Sequence, residues 1–221
     1  MKLSGLSRRL LSRGATSPRL APRVAATVVF VFSILSAGFA TAQETGDPAV
    51  GERKAHTCLG CHGVEHYVNV YPSYHVPRIA GQHAPYLIEA LKAYRSGART
   101  HPTMQANAGL LTDKDIADIA AWLSSSGGEF DQGLVGSAED KAAACAACHG
   151  ETGVSPTPTW PMLAGQYKSY ITQALKDYRS GARQNAVMSG FAGGLSDDDI
   201  DDLAAYFSAQ QGPLRTAPTN N

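Results

Sequence analysis

The stretch Cys58-Leu59-Gly60-Cys61-His62 recurs as Cys145-Ala146-Ala147-Cys148-His149, and the two copies use all four cysteines of the chain. The pattern C-x-x-C-H reads as an attachment site for a c-type haem. Two thiols one helical turn apart can add to the two vinyl groups on one porphyrin edge. The histidine that follows then lies under the iron, where its imidazole becomes an axial ligand. A redox disulfide and half of a zinc site share the same spacing. Zinc would need the two C-x-x-C pairs to converge, and a thioredoxin-like disulfide would need a strand–helix–strand setting, which is absent. Two copies, each followed by the same downstream pattern, favour haem.

That downstream pattern is a duplication. Ile79-Ala80-Gly81-Gln82 matches Leu163-Ala164-Gly165-Gln166, and Tyr94-Arg95-Ser96-Gly97-Ala98-Arg99 matches Tyr178-Arg179-Ser180-Gly181-Ala182-Arg183. Met104 matches Met188 and Asp115-Ile116 matches Asp199-Ile200, always 84 residues apart. The C-x-x-C-H motifs are 87 apart, so the first copy holds three extra residues between His62 and Pro77. Two copies make a duplicated domain, whereas a solenoid needs at least three stacked units.

Each copy reads as three helices, and no strand pattern competes. The first helix begins at Asp47-Pro48, a cap followed by proline at the first helical position, and runs into Cys58. Its counterpart begins at Ser137, with Glu139 and Asp140 in the first turn, and runs into Cys145. The middle helices span about 83–95 and 168–179 and stop at Gly97 and Gly181. The last helices open on Thr112 and Ser196 in capping-box patterns. Their apolar faces are Ile116, Ile119, Ala120 and Leu123, and Ile200, Leu203, Ala204 and Phe207. The stretches Gly63–Pro77 and Gly150–Pro161 read as long loops, with a haem in place of the missing core. The expected organisation is a first domain over 43–127, a linker over 128–136, a second domain over 137–212 and a disordered tail over 213–221. Copies of about 80 residues are small for a self-sufficient apolar core, which a large covalent cofactor would complete.

Residues 1–42 read as an address. Five arginines precede an apolar run from Val24 to Ala40, and Ala40-Thr41-Ala42 supplies a small-x-small cleavage pattern, placing the mature terminus near Gln43. The run is marginal for a membrane span and suits a signal peptide; retained, it would be an anchor. The remainder carries 13 basic against 19 acidic residues, a net of −6. That balance argues against nucleic acid and allows steering toward a positively charged docking surface.

Met104 lies 42 residues after His62, and Met188 lies 39 after His149. A thioether opposite the histidine favours the reduced iron and raises its potential. The competing role for a methionine is core filling. Met162 is too close to His149 to wrap over the far face. The first copy also holds His56, His66, His75, His83 and His101, which would permit bis-histidine ligation there. The second copy has His149 alone, so the extra histidines are expected at the surface. Arg95, Arg99, Arg179 and Arg183 are either solvated or paired with haem propionates. Tyr94 and Tyr178 are either core residues or ring and propionate contacts.

Taken together, the duplicated C-x-x-C-H, P-x-[LI]-A-G-Q, Y-R-S-G-A-R, methionine and L-[ST]-x-x-D-I helix resemble the cytochrome c4 family over about residues 48–212. The resemblance implies an all-α fold of two tandem class I cytochrome c-like domains. Two haem c groups would be bound through Cys58, Cys61, Cys145 and Cys148, with His62, Met104, His149 and Met188 as axial ligands. It implies that the carbonyls of Pro77 and Pro161 accept from the second ring nitrogen of His62 and His149. It implies a pseudo-twofold arrangement with the haems close to the domain interface. The implied function is a periplasmic dihaem electron carrier between a quinol-oxidising complex and a terminal oxidase, with peripheral membrane association left open. An electron-accepting subunit of a periplasmic dehydrogenase is the alternative. A dihaem peroxidase would need an open iron position, against which the matched methionines stand.

Overall fold

The computed structural model describes residues 45–131, 133, 135 and 140–219. The leader, the terminus near Gln43 and the expected cap at Ser137 with Glu139 lie outside the described residues. Helix α1 (Pro48–Lys54) starts where sequence chemistry places it: Asp47 accepts from the N–H groups of Ala49 and Val50, and Pro48 fills the first helical position. A 3₁₀ turn (Ala55–Cys58) carries the chain into α2 (Leu59–His62), so the first C-x-x-C-H lies on one helical path. The second motif ends α6 (Asp140–His149).

The middle helices are α3 (Ala84–Ser96) and α7 (Lys168–Ser180). Gly97 and Gly181 end them at φ 83° and 82°, a left-handed conformation that glycine enters without steric cost. The last helices are α5 (Asp113–Ser125) and α9 (Asp197–Ala209), each opened by a reciprocal capping box, Thr112 with Asp115 and Ser196 with Asp199.

Two further helices correct the three-helix reading. Met104 lies in α4 (Pro102–Ala108) and Met188 in α8 (Ala186–Ala192), where loops were expected. Each is seven residues long, too short for an apolar period to register. Both are nucleated by caps. The side chains of His101 and Asn185 accept from the N–H of Met104 and Met188.

The expected apolar faces are buried. In the first repeat Ile116, Ile119, Ala120 and Leu123 pack with Leu87, Ile88 and Ala55. In the second, Leu203, Ala204 and Phe207 pack with Ile171 and Ala142, and Ile200 is also fully buried. Helix α1 lies hard against α5: a Cβ at Gly51 would sit 1.9 Å from the carbonyl oxygen of Asp118. The Asp118 carboxylate, 1% exposed, accepts from the Asp47 N–H at 2.8 Å, from Lys114 and from Lys54 at 2.9 Å. These bonds hold it well below the ordinary carboxylate range. Lys54 and Lys141, 87 residues apart, each bridge two aspartates of the last helix, Asp115 with Asp118 and Asp199 with Asp202.

The tail is a second correction. The chain after Pro213 is not loose but ordered through Thr219 against the first repeat. Leu214 and Ala217 are buried, and Arg215 pairs antiparallel with Ala80. Its Pro, Thr and Asn content conceals two apolar side chains, Leu214 and Ala217, that are buried on either side of the Arg215 bridge. The loop Gly63–Pro77 also has structure of its own, a hairpin in which Asn69 N–H donates to Tyr74 O and Val76 N–H to Tyr67 O.

Gly51→Ala forces α1 away from α5. It is expected to destabilise the first repeat by about 1–3 kcal/mol, the usual cost of overpacking. Thermal unfolding followed at the Trp122 fluorescence reads this as a lowered midpoint.

Candidate haem sites

His62 and His149 are both buried. The Nδ1–H of His62 donates to Pro77 O at 2.9 Å, and that of His149 donates to Pro161 O at 2.9 Å. With Nδ1 carrying the proton, the Nε2 lone pair of each neutral ring is available to a metal. Burial lowers the pKa of both rings, outweighing the proline carbonyls, which pull the other way. The two carbonyl contacts expected from the resemblance are thus present in both repeats.

One cavity of about 220 Å³ runs through both halves. Cys58, Cys61, His62 and Met104 line it from the first repeat, and Cys145, His149 and Met188 from the second. The cysteines are not joined in disulfides. Burial raises the pKa of the Cys58 and Cys145 thiols. No cluster of three or more His, Cys, Asp or Glu side chains suited to a bare metal ion occurs among the described residues, so the C-x-x-C pairs do not converge as zinc would require.

The two halves meet through a reciprocal clasp. The buried amide of Gln82 accepts from Met162 N–H at 2.9 Å and donates to Met162 O at 3.1 Å. Gln166 accepts from Arg78 N–H and donates to Arg78 O, both at 2.9 Å. The two glutamines are 84 residues apart, as are their targets Arg78 and Met162, so the clasp is pseudo-twofold. Around the same axis Arg99 pairs with Arg183, Thr100 N–H donates to Ala182 O, and Gln184 N–H donates to Ala98 O.

The four arginines separate into two kinds. Arg95 and Arg179 each donate to the aspartate opening the last helix, Asp113 or Asp197, at 2.5 Å. Arg99 and Arg183 are buried, 9% and 7% exposed, and neither forms an ion pair with a carboxylate among the described residues. Both donate to the Tyr86 hydroxyl, at 3.5 and 2.8 Å, and the Nε of Arg183 is buried with no partner among them. Burial would push the Tyr86 phenol upward, but the two guanidiniums outweigh it and bring it down to about 8. Two enclosed cations around one phenol leave donor capacity aimed at an anion.

These residues fit a haem. An imidazole with a free Nε2, a thioether and an apolar wall meet in each half, with both thiols of the first pair and Cys145 of the second lining the cavity. The unpartnered Arg183 Nε suits a carboxylate such as that group carries. The histidine expectation needs correction. His101 spends its Nδ1 capping α4, His75 Nδ1 lies 2.8 Å from Ser169 Oγ, and His83 Nε2–H donates to Ser155 O. Together with His66, whose ring packs against Tyr167, four of the five extra histidines make specific contacts, and His66, His75 and His83 span the repeats. The Gln82 and Gln166 clasp was not anticipated. Its signal was the identical Ala-Gly-Gln in both copies.

Fold and site define a protein of two tandem class I cytochrome c domains. The cytochrome c family profile matches residues 51–127 and again 140–210. A cytochrome c4 from Pseudomonas aeruginosa is 36% identical over 182 residues, covering 75% of this chain and 89% of that protein. A thiosulfate dehydrogenase electron acceptor from Stutzerimonas stutzeri is 33% identical, covering 70% and 79%. The crystal structure of reduced recombinant cytochrome c4 from Pseudomonas stutzeri superposes with a TM-score of 0.60 at 30% identity, covering 75% of this chain and all of that one. The chain belongs to the cytochrome c4 family: it is a dihaem electron-transfer cytochrome, a carrier and not an enzyme, with two covalently bound haem c groups.

Gln82→Ala leaves the backbone N–H and C=O of Met162 without their partner. A loss of about 1–3 kcal/mol is expected from such unsatisfied groups. Denaturant titration followed separately at the two haems is expected to turn one coincident transition into two.

Proposed function

We propose that this protein passes electrons one at a time between redox partners in the periplasm, after export and cleavage near Gln43. Cys58, Cys61, Cys145 and Cys148 bind the two haems as thioethers. His62 with Met104, and His149 with Met188, would supply the imidazole and thioether ligands to the two irons. When bound, haem c supplies reversible one-electron exchange at its iron. The observation that carries this reading is the matched pair of histidine-to-proline contacts beside one shared cavity. Pro77 and Pro161 orient the imidazoles, the two methionines would offer thioether ligands, and Arg99 and Arg183 would pair with the cofactor's carboxylates. The apolar lining excludes water from both sites.

A quinol-oxidising complex as donor and a haem–copper terminal oxidase as acceptor fit the family resemblance. The second reading is a partner role as acceptor for a periplasmic dehydrogenase, favoured by the similarity to the thiosulfate dehydrogenase electron acceptor. Among the described residues no helix is long and apolar enough to cross a membrane, so stable anchoring would fall to the leader. Intact mass of the purified protein checks this: a chain beginning near residue 43 with two haems is expected, and Met1 at the terminus would contradict it.

Met188→Ala is expected to abolish the sulfur-to-iron charge-transfer band of one haem, open that iron to carbon monoxide and lower its potential. Met104→Ala is expected to do the same at the other. Optical redox titration and carbon monoxide binding read both. An unchanged spectrum in Met104→Ala, with a change in His101→Ala, would assign the first haem a histidine sixth ligand. A high-spin haem turning over peroxide would replace the carrier reading.

A further inference from the structure

Ala80 and Ala164 are repeat equivalents, both fully buried, three residues after the prolines that hold the imidazoles. Their backbones are satisfied in different ways. In the second repeat Ala164 N–H donates to Gly153 O at 3.1 Å, and Leu163 N–H donates to the same oxygen at 2.7 Å. Gly153, at φ 78°, makes this turn so tightly that a Cβ would lie 2.8 Å from the Ala164 nitrogen. The loop following His149 therefore closes over its own proximal segment.

The longer loop of the first repeat folds differently. Its hairpin reaches the second repeat instead, with His66 N–H donating to Tyr167 Oη and His75 N–H to Ser169 Oγ. The vacated place is filled from the far end of the chain. Ala80 N–H donates to Arg215 O at 3.2 Å, and Arg215 N–H donates to Ala80 O at 2.9 Å. Two residues on, Ala217 N–H donates to the carbonyl of His62 itself at 2.8 Å. Ala217 joins the first core beside Ala55, and Leu214 is 1% exposed. The methyl of Thr219 covers Gly63, where a Cβ would lie 2.7 Å from it. The Arg215 guanidinium locks the turn by donating to the carbonyls of Gly212, Leu214 and Glu129.

We infer that residues 213–219 form a positioning strap for the axial histidine of the first haem, replacing the turn that Gly153 provides in the second repeat. The strap binds both segments that fix the His62 imidazole, its own backbone and the 77–80 stretch whose Pro77 carbonyl receives Nδ1–H. Without it the proximal side of the first site opens to water and its histidine gains freedom. Water entry favours the oxidised, more highly charged iron, and this solvent effect sets the direction expected of the shift. The second site has its own turn and is independent of the strap.

The inference rests on the haem reading above, and haem content separates the two. An unmodified mature protein lacking two covalent haems would overturn that reading, whatever the strap does. The test compares mature holoprotein with a chain ending at Gly212 and with full-length Ala217→Pro, which removes the single N–H reaching His62. Each is titrated spectroelectrochemically, the first-haem step being identified by its displacement in Met104→Ala. Truncation is expected to shift the first-haem equilibrium about tenfold toward oxidation, about 59 mV for a one-electron couple. Ala217→Pro is expected to move the same step by less, and the second-haem step is expected to stay in place in both. Unmoved steps in both variants, or equal movement of the two haems, would overturn the strap. If truncation unfolds the first repeat, Ala217→Pro decides alone: a selective first-haem shift supports the strap, and none overturns it.

Discussion

The reciprocal hydrogen bonding of Gln82 and Gln166 is the contact on which the rest depends. Each amide spends both ends on the backbone of the other repeat, at Met162 and Arg78. Those targets directly follow Pro161 and Pro77, the carbonyls that receive the histidine Nδ1–H groups. Interface and imidazole anchor are therefore adjacent in the chain, and neither can shift without the other. A repeat of about 80 residues buries too little surface to close its own cavity. Here each repeat completes the wall of the other.

Electrostatics at that interface follow from the same symmetry. Two arginine pairs occupy equivalent sequence positions but have opposite environments. Arg95 and Arg179, at the ends of α3 and α7, reach outward to the aspartates opening α5 and α9. Arg99 and Arg183, past the glycine turn, are directed inward and meet across the axis. Burying two like charges is costly unless an anion accompanies them. Tyr86, brought down to about 8, is an insufficient counterpart. The carboxylates of two haems would balance both charges, so cofactor binding and closure of the repeats are linked energetically.

The repeats share their chemistry but not their enclosures. Every residue proposed to bind haem has an equivalent in the other copy. The first repeat, however, adds three residues after His62, folds them toward its neighbour and takes a strap from the C-terminus in exchange. The cap before each methionine also differs, histidine at 101 and asparagine at 185. Two sites with identical ligands in unequal surroundings are expected to be unequal electrostatically, because solvent access and hydrogen bonding tune an iron as much as its ligands do.

Motifs and periods alone determined the repeat, the helices opening at Asp47, Thr112 and Ser196, the glycine stops, the buried faces of α5 and α9 and the haem attachment pattern. These depend on near neighbours, where capping, backbone freedom and apolar spacing act within a few residues. The short helices holding Met104 and Met188 escaped because seven residues carry no period, although their caps were visible afterwards. Tertiary structure alone decided which arginines turn inward, that the A-G-Q glutamines clasp the repeats, and that a polar-looking tail lies against the first site. The clasp and the tail depend on backbone groups left unpaired elsewhere in the fold, and the inward arginines on the Tyr86 hydroxyl. A single hydrogen bond can join residues 62 and 217, and no local pattern in either segment specifies that partner.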